Sequence, residues 1–179
     1  MTQDLVLSNM FETAFLEVVG LEGGFVDHPL DRGGPTKWGI SKKAFPDLDI
    51  ANLSVDDARL IYHKYYWIPL RLDELQHLAI ASEIFDTAVN AGLRIATRVC
   101  QQAVSFLGTR GVSIDGIMGT LTISALNIWI KKDIVALHKC LNGWQFIHFV
   151  NIINSNPDQI IFARGWMRRI QFYKEGVKV

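Results

Sequence analysis

The stretch EGGFVDHPLDRGGPTKWGIS, residues 22–41, interrupts a chain that otherwise has helical patterns. It is rich in glycine and contains two prolines, so it predicts a loop with at most a short hairpin. The apolar run FETAFLEVV, residues 11–19, precedes it and predicts a helix over residues 8–21 that Gly23 and Gly24 stop. Glu22 then stands at the end of that helix, where the helix macrodipole disfavours a negative charge. The position of Glu22 therefore does not stabilise the helix, which favours a functional reason for a carboxyl group there.

Helical spacing of apolar residues continues along most of the remaining chain. Ser54 and Asp57 have the spacing of a capping box and predict a helix that runs through about Trp67 and ends at Pro69. Further helices are predicted at residues 74–91, 94–107, 120–131, 133–153 and 157–174. Because no segment alternates convincingly with the period of a strand, the predicted fold is mainly α, with one glycine-rich excursion near Glu22.

The composition is that of a globular protein. The chain has 179 residues, of which 49% are hydrophobic and 20% charged, which excludes the disordered and fibrous classes. Its two cysteines, Cys100 and Cys140, are too few for a disulfide framework and are predicted to be buried apolar side chains. No metal-ligand spacing is present, so we expect neither a metal nor an organic cofactor. The apolar runs are too short to span a bilayer and no basic region opens the chain, which predicts cytoplasmic synthesis without a signal peptide.

The net charge of zero conceals a division between the two halves of the chain. Residues 1–90 hold 7 basic and 14 acidic side chains, a net charge of −7, and residues 91–179 hold 11 and 4, a net charge of +7. In one interpretation the two halves simply complement each other when they pack. In the other, the basic half also faces an anionic polymer.

The glycine-rich stretch carries residues suited to cleavage of a glycosidic bond. Such cleavage commonly uses two carboxyl groups, one of which must be protonated to act as the general acid. Glu22 follows an apolar run and the carbonyl end of a predicted helix, and both surroundings favour its protonated form. Asp31 lies on a loop that can fold back, and the Thr36 hydroxyl is able to hold a water molecule. Alternatively, Glu22 is an exposed acid before a glycine cap and Asp31 a turn residue, but the order of these residues favours catalysis.

These residues resemble the signature of the family 108 glycoside hydrolases, which are N-acetylmuramidases found among phage endolysins and secretion-assisting bacterial proteins. The matching motif is Glu22-Gly23-Gly24-Phe25 followed by Asp31-x-Gly33-Gly34-x-Thr36-x-x-Gly39-Ile40. Later matches are Ile61-Tyr62, Tyr66-Trp67, Phe85-Asp86-x-x-Val89-Asn90-x-Gly92, Gln101 or Gln102, Asp115-Gly116-x-x-Gly119-x-x-Thr122 and Phe162-x-x-Gly165-Trp166-x-x-Arg169. The resemblance covers essentially the whole chain and implies a lysozyme-like fold.

The resemblance also implies an activity and a division of the chain. Residues 1–92 would be a lysozyme-like catalytic region, and residues 93–179 a helical peptidoglycan-binding region packed on it. The implied reaction is hydrolysis of the β-1,4 bond between N-acetylmuramic acid and N-acetylglucosamine, with Glu22 as the general acid. Asp31 and Thr36 would be the second catalytic group, by analogy with phage lysozymes. We expect the protein to act as a monomer on the cell wall in the periplasm, after holin- or secretion-type release.

Six residues are candidates for binding the substrate: Tyr66, Trp67, Asp86, Asn90, Trp166 and Arg169. Aromatic faces suit sugar rings, although neighbouring aromatic residues on a helix cannot all reach one cleft. Asp86 and Asn90 share a helix face, so they either line a groove or form a buried hydrogen-bonded pair. Trp166 and the arginines around it, Arg164, Arg168 and Arg169, either contact a sugar and the carboxylates of peptide stems or are a core residue and solvated charges.

Two other classes of protein are alternatives. The first is a peptidoglycan-binding or secretion-accessory protein without turnover, and the intact Glu22 motif argues against it. The second is a membrane-active lysis protein, which the lack of a sufficiently long apolar segment argues against. We therefore expect peptidoglycan as the partner, with no nucleic acid and no stable membrane insertion.

Overall fold

The structure is a computed structural model that describes residues 8–20, 24–25 and 34–170. Its described part contains these helices: α1 (Asn9–Val18), α2 (Val55–Tyr62), α3 (Leu78–Ala91), α4 (Leu93–Phe106), α5 (Thr120–Ser155) and α6 (Ala163–Met167). A two-stranded antiparallel hairpin joins β1 (Thr36–Lys37) to β2 (Ile40–Ser41). A π-helical turn lies at His63–Trp67, and 3-10 segments lie at Leu72–Glu74 and Pro157–Phe162. The prediction of a mainly α, lysozyme-like fold is confirmed.

Helix α1 ends earlier than its apolar pattern predicts. The Ser8 side chain caps its start by accepting a hydrogen bond from the Phe11 backbone N–H. At the other end, Gly20 has a φ of +73° and its N–H donates to the Phe15 carbonyl. This left-handed conformation suits glycine and ends the helix at Val18, so the predicted extension to residue 21 is wrong. Glu22 itself lies outside the described residues.

The hairpin is held against α2 by its turn. Trp38 and Gly39 both have positive φ angles, as a two-residue turn between antiparallel strands requires. A Cβ atom on Gly39 would lie 2.6 Å from the Tyr62 hydroxyl oxygen, so the approach is open only to glycine. The Tyr62 hydroxyl donates a hydrogen bond to the Trp38 carbonyl at 3.0 Å. The predicted short hairpin is thus present and fixed to the helix behind it.

Helix α2 begins as its capping pattern predicts and then changes its winding. Ser54 accepts from the Asp57 N–H, and the Asp57 carboxylate accepts from the Ser54 N–H. After Tyr62 the helix widens into a π-helical turn, in which the Ile68 N–H donates to the His63 carbonyl.

Helix α3 is the central element, and ten of its residues between Leu78 and Ala88 are buried. It starts at Leu78 and not at residue 74, because the His77 side chain caps it by accepting from the Ala79 N–H. Its end at Gly92 is as predicted. Its buried surface joins one hydrophobic cluster that also takes in α1, α4 and α5. Residues of both predicted regions therefore share a single core.

The last part of the chain departs from the predicted helices in two ways. The helices predicted at residues 120–131 and 133–153 are halves of α5, kinked at Asp133, whose backbone leaves the helical conformation. The Asp133 carboxylate accepts from the Ala136 N–H and so caps the second half. The helix predicted over residues 157–174 is instead a 3-10 segment followed by α6, and residues beyond 170 lie outside the described part. No helix among the described residues is both long and apolar enough to cross a membrane.

Candidate functional site

Two of the three predicted catalytic residues, Glu22 and Asp31, lie outside the described residues, so their roles stay predictions. The third, Thr36, opens β1 and is half-buried. Its hydroxyl donates a hydrogen bond to the Gly34 carbonyl at 2.9 Å. Because this bond uses the hydroxyl hydrogen, the oxygen lone pairs remain able to accept a hydrogen bond from a water molecule. That arrangement is compatible with the water-holding role predicted for Thr36.

The predicted aromatic pair divides between the surface and the core. Tyr66 is half-buried, lies 5.3 Å from the Tyr62 ring between centroids, and has a pKa raised by burial. Trp67 is 0% exposed and packs edge-on against Phe11 and Phe85, at 5.3 and 5.6 Å. A fully buried indole offers no face to a sugar, so the substrate-binding role predicted for Trp67 is wrong.

Asp86 and Arg169, both predicted to bind substrate, contact each other. Their side chains form an ion pair between α3 and the segment after α6, and the Gln145 amide donates to Asp86 from α5 at 3.5 Å. Burial raises the pKa of the Asp86 carboxyl, and the Arg169 guanidinium opposes that rise. The pair therefore joins the end of the described chain to the central helix. This contact accounts for part of the charge complementarity between the acidic and basic halves.

The other two predicted binding residues are also partly enclosed. Asn90 lies one turn beyond Asp86 on α3, and its amide nitrogen is buried without a hydrogen-bond partner among the described residues. The alternative of a hydrogen-bonded pair between Asp86 and Asn90 is therefore not observed. Trp166 stacks on Phe149 with ring centroids 5.0 Å apart and planes 8° from parallel. One face of its indole is thus covered, and any contact with a sugar would use the other face or an edge.

A buried acid that the sequence analysis did not single out lies next to Asp86. Glu83 is 5% exposed on α3, and its carboxyl oxygen lies 3.5 Å from the His138 Nε2 on α5. Burial, together with the nearby Asp86 charge, raises the pKa of Glu83 to about 8, and burial lowers the pKa of His138. At neutral pH the contact is therefore between a protonated acid and a neutral imidazole. The available sequence signal was a glutamate within the largely apolar helical segment AIASEIFDTAV, residues 79–89, which also contains Asp86.

The raised pKa of Glu83 makes the stability of the protein dependent on pH. Because the folded pKa of about 8 exceeds the reference value of 4.5, the folded state holds the proton more tightly and stability falls as pH rises between them. The lowered pKa of His138 makes stability rise with pH, but only below about pH 6.5, the ordinary pKa of histidine. Between pH 6.5 and 8 we expect the free energy of unfolding to fall by about 2 kcal/mol through Glu83 alone.

The variant Glu83→Gln should lose most of this decline, since an amide does not ionise and has nearly the same shape. Urea unfolding at several pH values measures it, and the matched control is Asp47→Asn, an exposed acid. Parallel stability curves for Glu83→Gln and the wild type above pH 6.5 would show that Glu83 is ionised in the folded protein.

The described residues contain no group of three or more His, Cys, Asp or Glu side chains placed to hold a metal ion. Both cysteines are free thiols; Cys100 is buried and Cys140 is half-buried. Burial raises the pKa of each thiol, which keeps it protonated at neutral pH.

Comparison with known proteins assigns both parts of the chain. The sequence model of glycosyl hydrolase 108 matches residues 15–92, and that of a predicted peptidoglycan domain matches residues 95–171. The solved structure of Brucella abortus SagA is similar to this one with a TM-score of 0.67 and 26% sequence identity, over 89% of this chain and 88% of that chain. No curated protein matches. Residues 15–92 therefore form a glycosyl hydrolase 108 domain and residues 95–171 a predicted peptidoglycan domain, and the protein is a glycoside hydrolase that acts on peptidoglycan.

Proposed function

We propose that this protein is an N-acetylmuramidase, which hydrolyses the β-1,4 bond between N-acetylmuramic acid and N-acetylglucosamine. The observation that carries the proposal is the Glu22-Gly23-Gly24-Phe25 motif, which lies within the matched glycosyl hydrolase domain. Glu22 is the general acid in this proposal. The two glycines after it carry no side chains, so a sugar is able to approach the carboxyl group closely.

In the proposed reaction Glu22 donates its proton to the glycosidic oxygen while the bond from that oxygen to C1 of N-acetylmuramic acid breaks. Positive charge develops on this sugar, and Asp31 stabilises it. A water molecule held by the Thr36 hydroxyl attacks C1, and Asp31 accepts the proton that the water loses. The products are a free hydroxyl on N-acetylglucosamine and a reducing end on N-acetylmuramic acid. This scheme inverts the configuration at C1, because water attacks the face opposite to the leaving group.

The same proposal assigns the remaining predicted binding residues. Tyr66 lies in the π-helical turn that follows α2, and Asn90 lies near the end of α3. Both side chains would contact the glycan. Asp86 and Arg169 would hold the end of the peptidoglycan domain against α3 through their ion pair, and so position it relative to the catalytic domain. Trp166 would contribute an indole edge from that domain.

Analysis of the products tests the proposed bond. Purified sacculi are digested with the protein, the products are reduced with borohydride, and their ends are identified by mass spectrometry. We expect reduced N-acetylmuramic acid at the new ends. Reduced N-acetylglucosamine would identify a glucosaminidase, and an anhydro end would identify a lytic transglycosylase. Binding to sacculi without any soluble product would favour the alternative of a non-catalytic peptidoglycan-binding protein.

A further inference from the structure

A groove runs between α4 and the second half of α5, within the peptidoglycan domain. It consists of two adjoining depressions of about 240 and 170 Å³ that share Trp144 and Ile147. The first depression is largely apolar, and its other lining residues are Phe106, Lys139, Cys140 and Gly143. The second is polar, and its other lining residues are Ile95, Arg98, Val99, Gln102, His148 and Asn151. We call the two together the Trp144 groove.

The indole N–H of Trp144 is a hydrogen-bond donor without an acceptor in the described part of the chain. Its indole is half-buried against the hydrophobic core, yet no described residue accepts a hydrogen bond from its N–H. Two other tryptophans of similar burial do have such partners: Trp38 donates to the Leu53 carbonyl and Trp129 to the Thr109 hydroxyl. Trp144 lines both depressions, so its half-buried indole offers them an apolar surface, and its N–H remains available as a donor.

Gly143, beside Trp144, is a helix-interior residue that costs stability without a packing reason. Glycine inside a helix is less favourable than alanine by about 0.5–1 kcal/mol. A Cβ atom at Gly143 would meet nothing within 4 Å, so no neighbouring side chain requires the glycine. Gly143 lines the first depression, and a side chain at this position would project into open space.

The charges of the groove select an anionic ligand. Arg98 and Lys139 line its two depressions, and neither lining set contains an aspartate or a glutamate. Within the described part of the chain, no carboxylate forms an ion pair with either cation. Arg98 donates to the Ile114 carbonyl from one guanidinium nitrogen, which steadies the side chain and leaves other N–H groups for a ligand. Burial lowers the pKa of His148, so the positive charge at neutral pH comes from Arg98 and Lys139.

Peptidoglycan has one component with matching chemistry. Its neutral glycan strand offers hydroxyl and acetamido groups, whereas its peptide stems carry carboxylates, backbone carbonyls and small aliphatic side chains. We propose that the Trp144 groove binds the peptide stem of peptidoglycan, with Arg98 and Lys139 paired to stem carboxylates and the Trp144 N–H donating to a stem carbonyl. The aliphatic side chains pack on the indole face. This inference rests on the proposed function, because it takes peptidoglycan that carries peptide stems as the substrate.

The test uses the full chain with two soluble probes, a free stem tetrapeptide and glycan strands whose stems an amidase has removed. Binding is measured by calorimetry at low salt. We expect the double variant Arg98→Gln/Lys139→Gln to bind the stem peptide at least tenfold more weakly than the wild type, because each charge-assisted hydrogen bond contributes about tenfold or more. The matched control is Arg110→Gln, an exposed arginine of the same domain that does not line the groove, and it should bind as the wild type does.

A second measurement does not depend on how the charge variants fold. The indole N–H signal of Trp144 in an NMR spectrum is assigned by its loss in Trp144→Phe. In the wild-type protein this signal should shift on addition of the stem peptide and stay in place with stem-free glycan. The inference is overturned if the double variant binds the stem peptide normally, or if stem-free glycan alone moves the Trp144 signal. Muramidase activity is measured in a separate assay, from the reduced ends of the products. Failure of the proposed function is therefore distinguishable from failure of stem binding by the groove.

Discussion

Glu22→Gln is expected to leave the protein folded and to lower the rate of sacculus clearing by roughly 10²–10⁴-fold, the usual contribution of general acid catalysis. An amide has nearly the same shape as the protonated carboxyl group but has no proton to give to the leaving oxygen. Clearing is followed by turbidity of purified sacculi, and circular dichroism of the variant checks that the fold is retained. Clearing within a few-fold of the wild-type rate would show that Glu22 is not the acid.

Asp31→Asn is the matched comparison for this variant. It should lower turnover sharply but less completely, because other dipoles of the site continue to stabilise the developing positive charge. Full activity in Asp31→Asn would return Asp31 to the role of a turn residue. The configuration of the first-formed sugar, read by NMR, separates inversion from retention. An initial product of β configuration would contradict the inverting scheme.

Trp67→Ala is expected to destabilise the fold by about 3–5 kcal/mol, the usual cost of removing a large aromatic side chain from a core. The indole is 0% exposed and its ring packs against Phe11 and Phe85, so its loss leaves a cavity between α1, α3 and the π-helical turn. Urea unfolding measures the change in the free energy of unfolding. Trp67→Phe should cost much less, because it keeps an aromatic ring and removes a buried N–H that has no described hydrogen-bond partner.

The same pair of variants tests the corrected role of Trp67. If Trp67 is a core residue, Trp67→Phe should retain its affinity for sacculi, since the residue has no face to offer a sugar. Normal stability in Trp67→Ala combined with weaker sacculus binding would contradict this assignment. It would show that the indole reaches the substrate and contributes little to the core.

Local chemistry in the sequence was sufficient for most of the secondary structure. The side chains that cap a helix lie next to its backbone in the chain, so the pairing of Ser54 with Asp57 could be predicted without tertiary information. The same holds for the end of α3 at Gly92. The kink at Asp133 coincides with the predicted gap between two helices, although the chain runs on without a loop. The predicted end of α1 was wrong because it relied on Gly23 and Gly24. Gly20, which comes earlier in the chain, has the left-handed conformation that ends the helix.

The sequence alone determined the glycosyl hydrolase 108 domain, the helical class and the motif that contains Glu22, because these depend on residue identity and short spacing. Only the tertiary structure decided what distant side chains do. It turns Trp67 inward while Tyr66 stays half-exposed, since a π-helical turn changes which residues face the core. It pairs Asp86 with Arg169, 83 residues apart, and encloses Glu83 beside His138. Burial and long-range contacts set these charge states, and neither has a signature in local sequence.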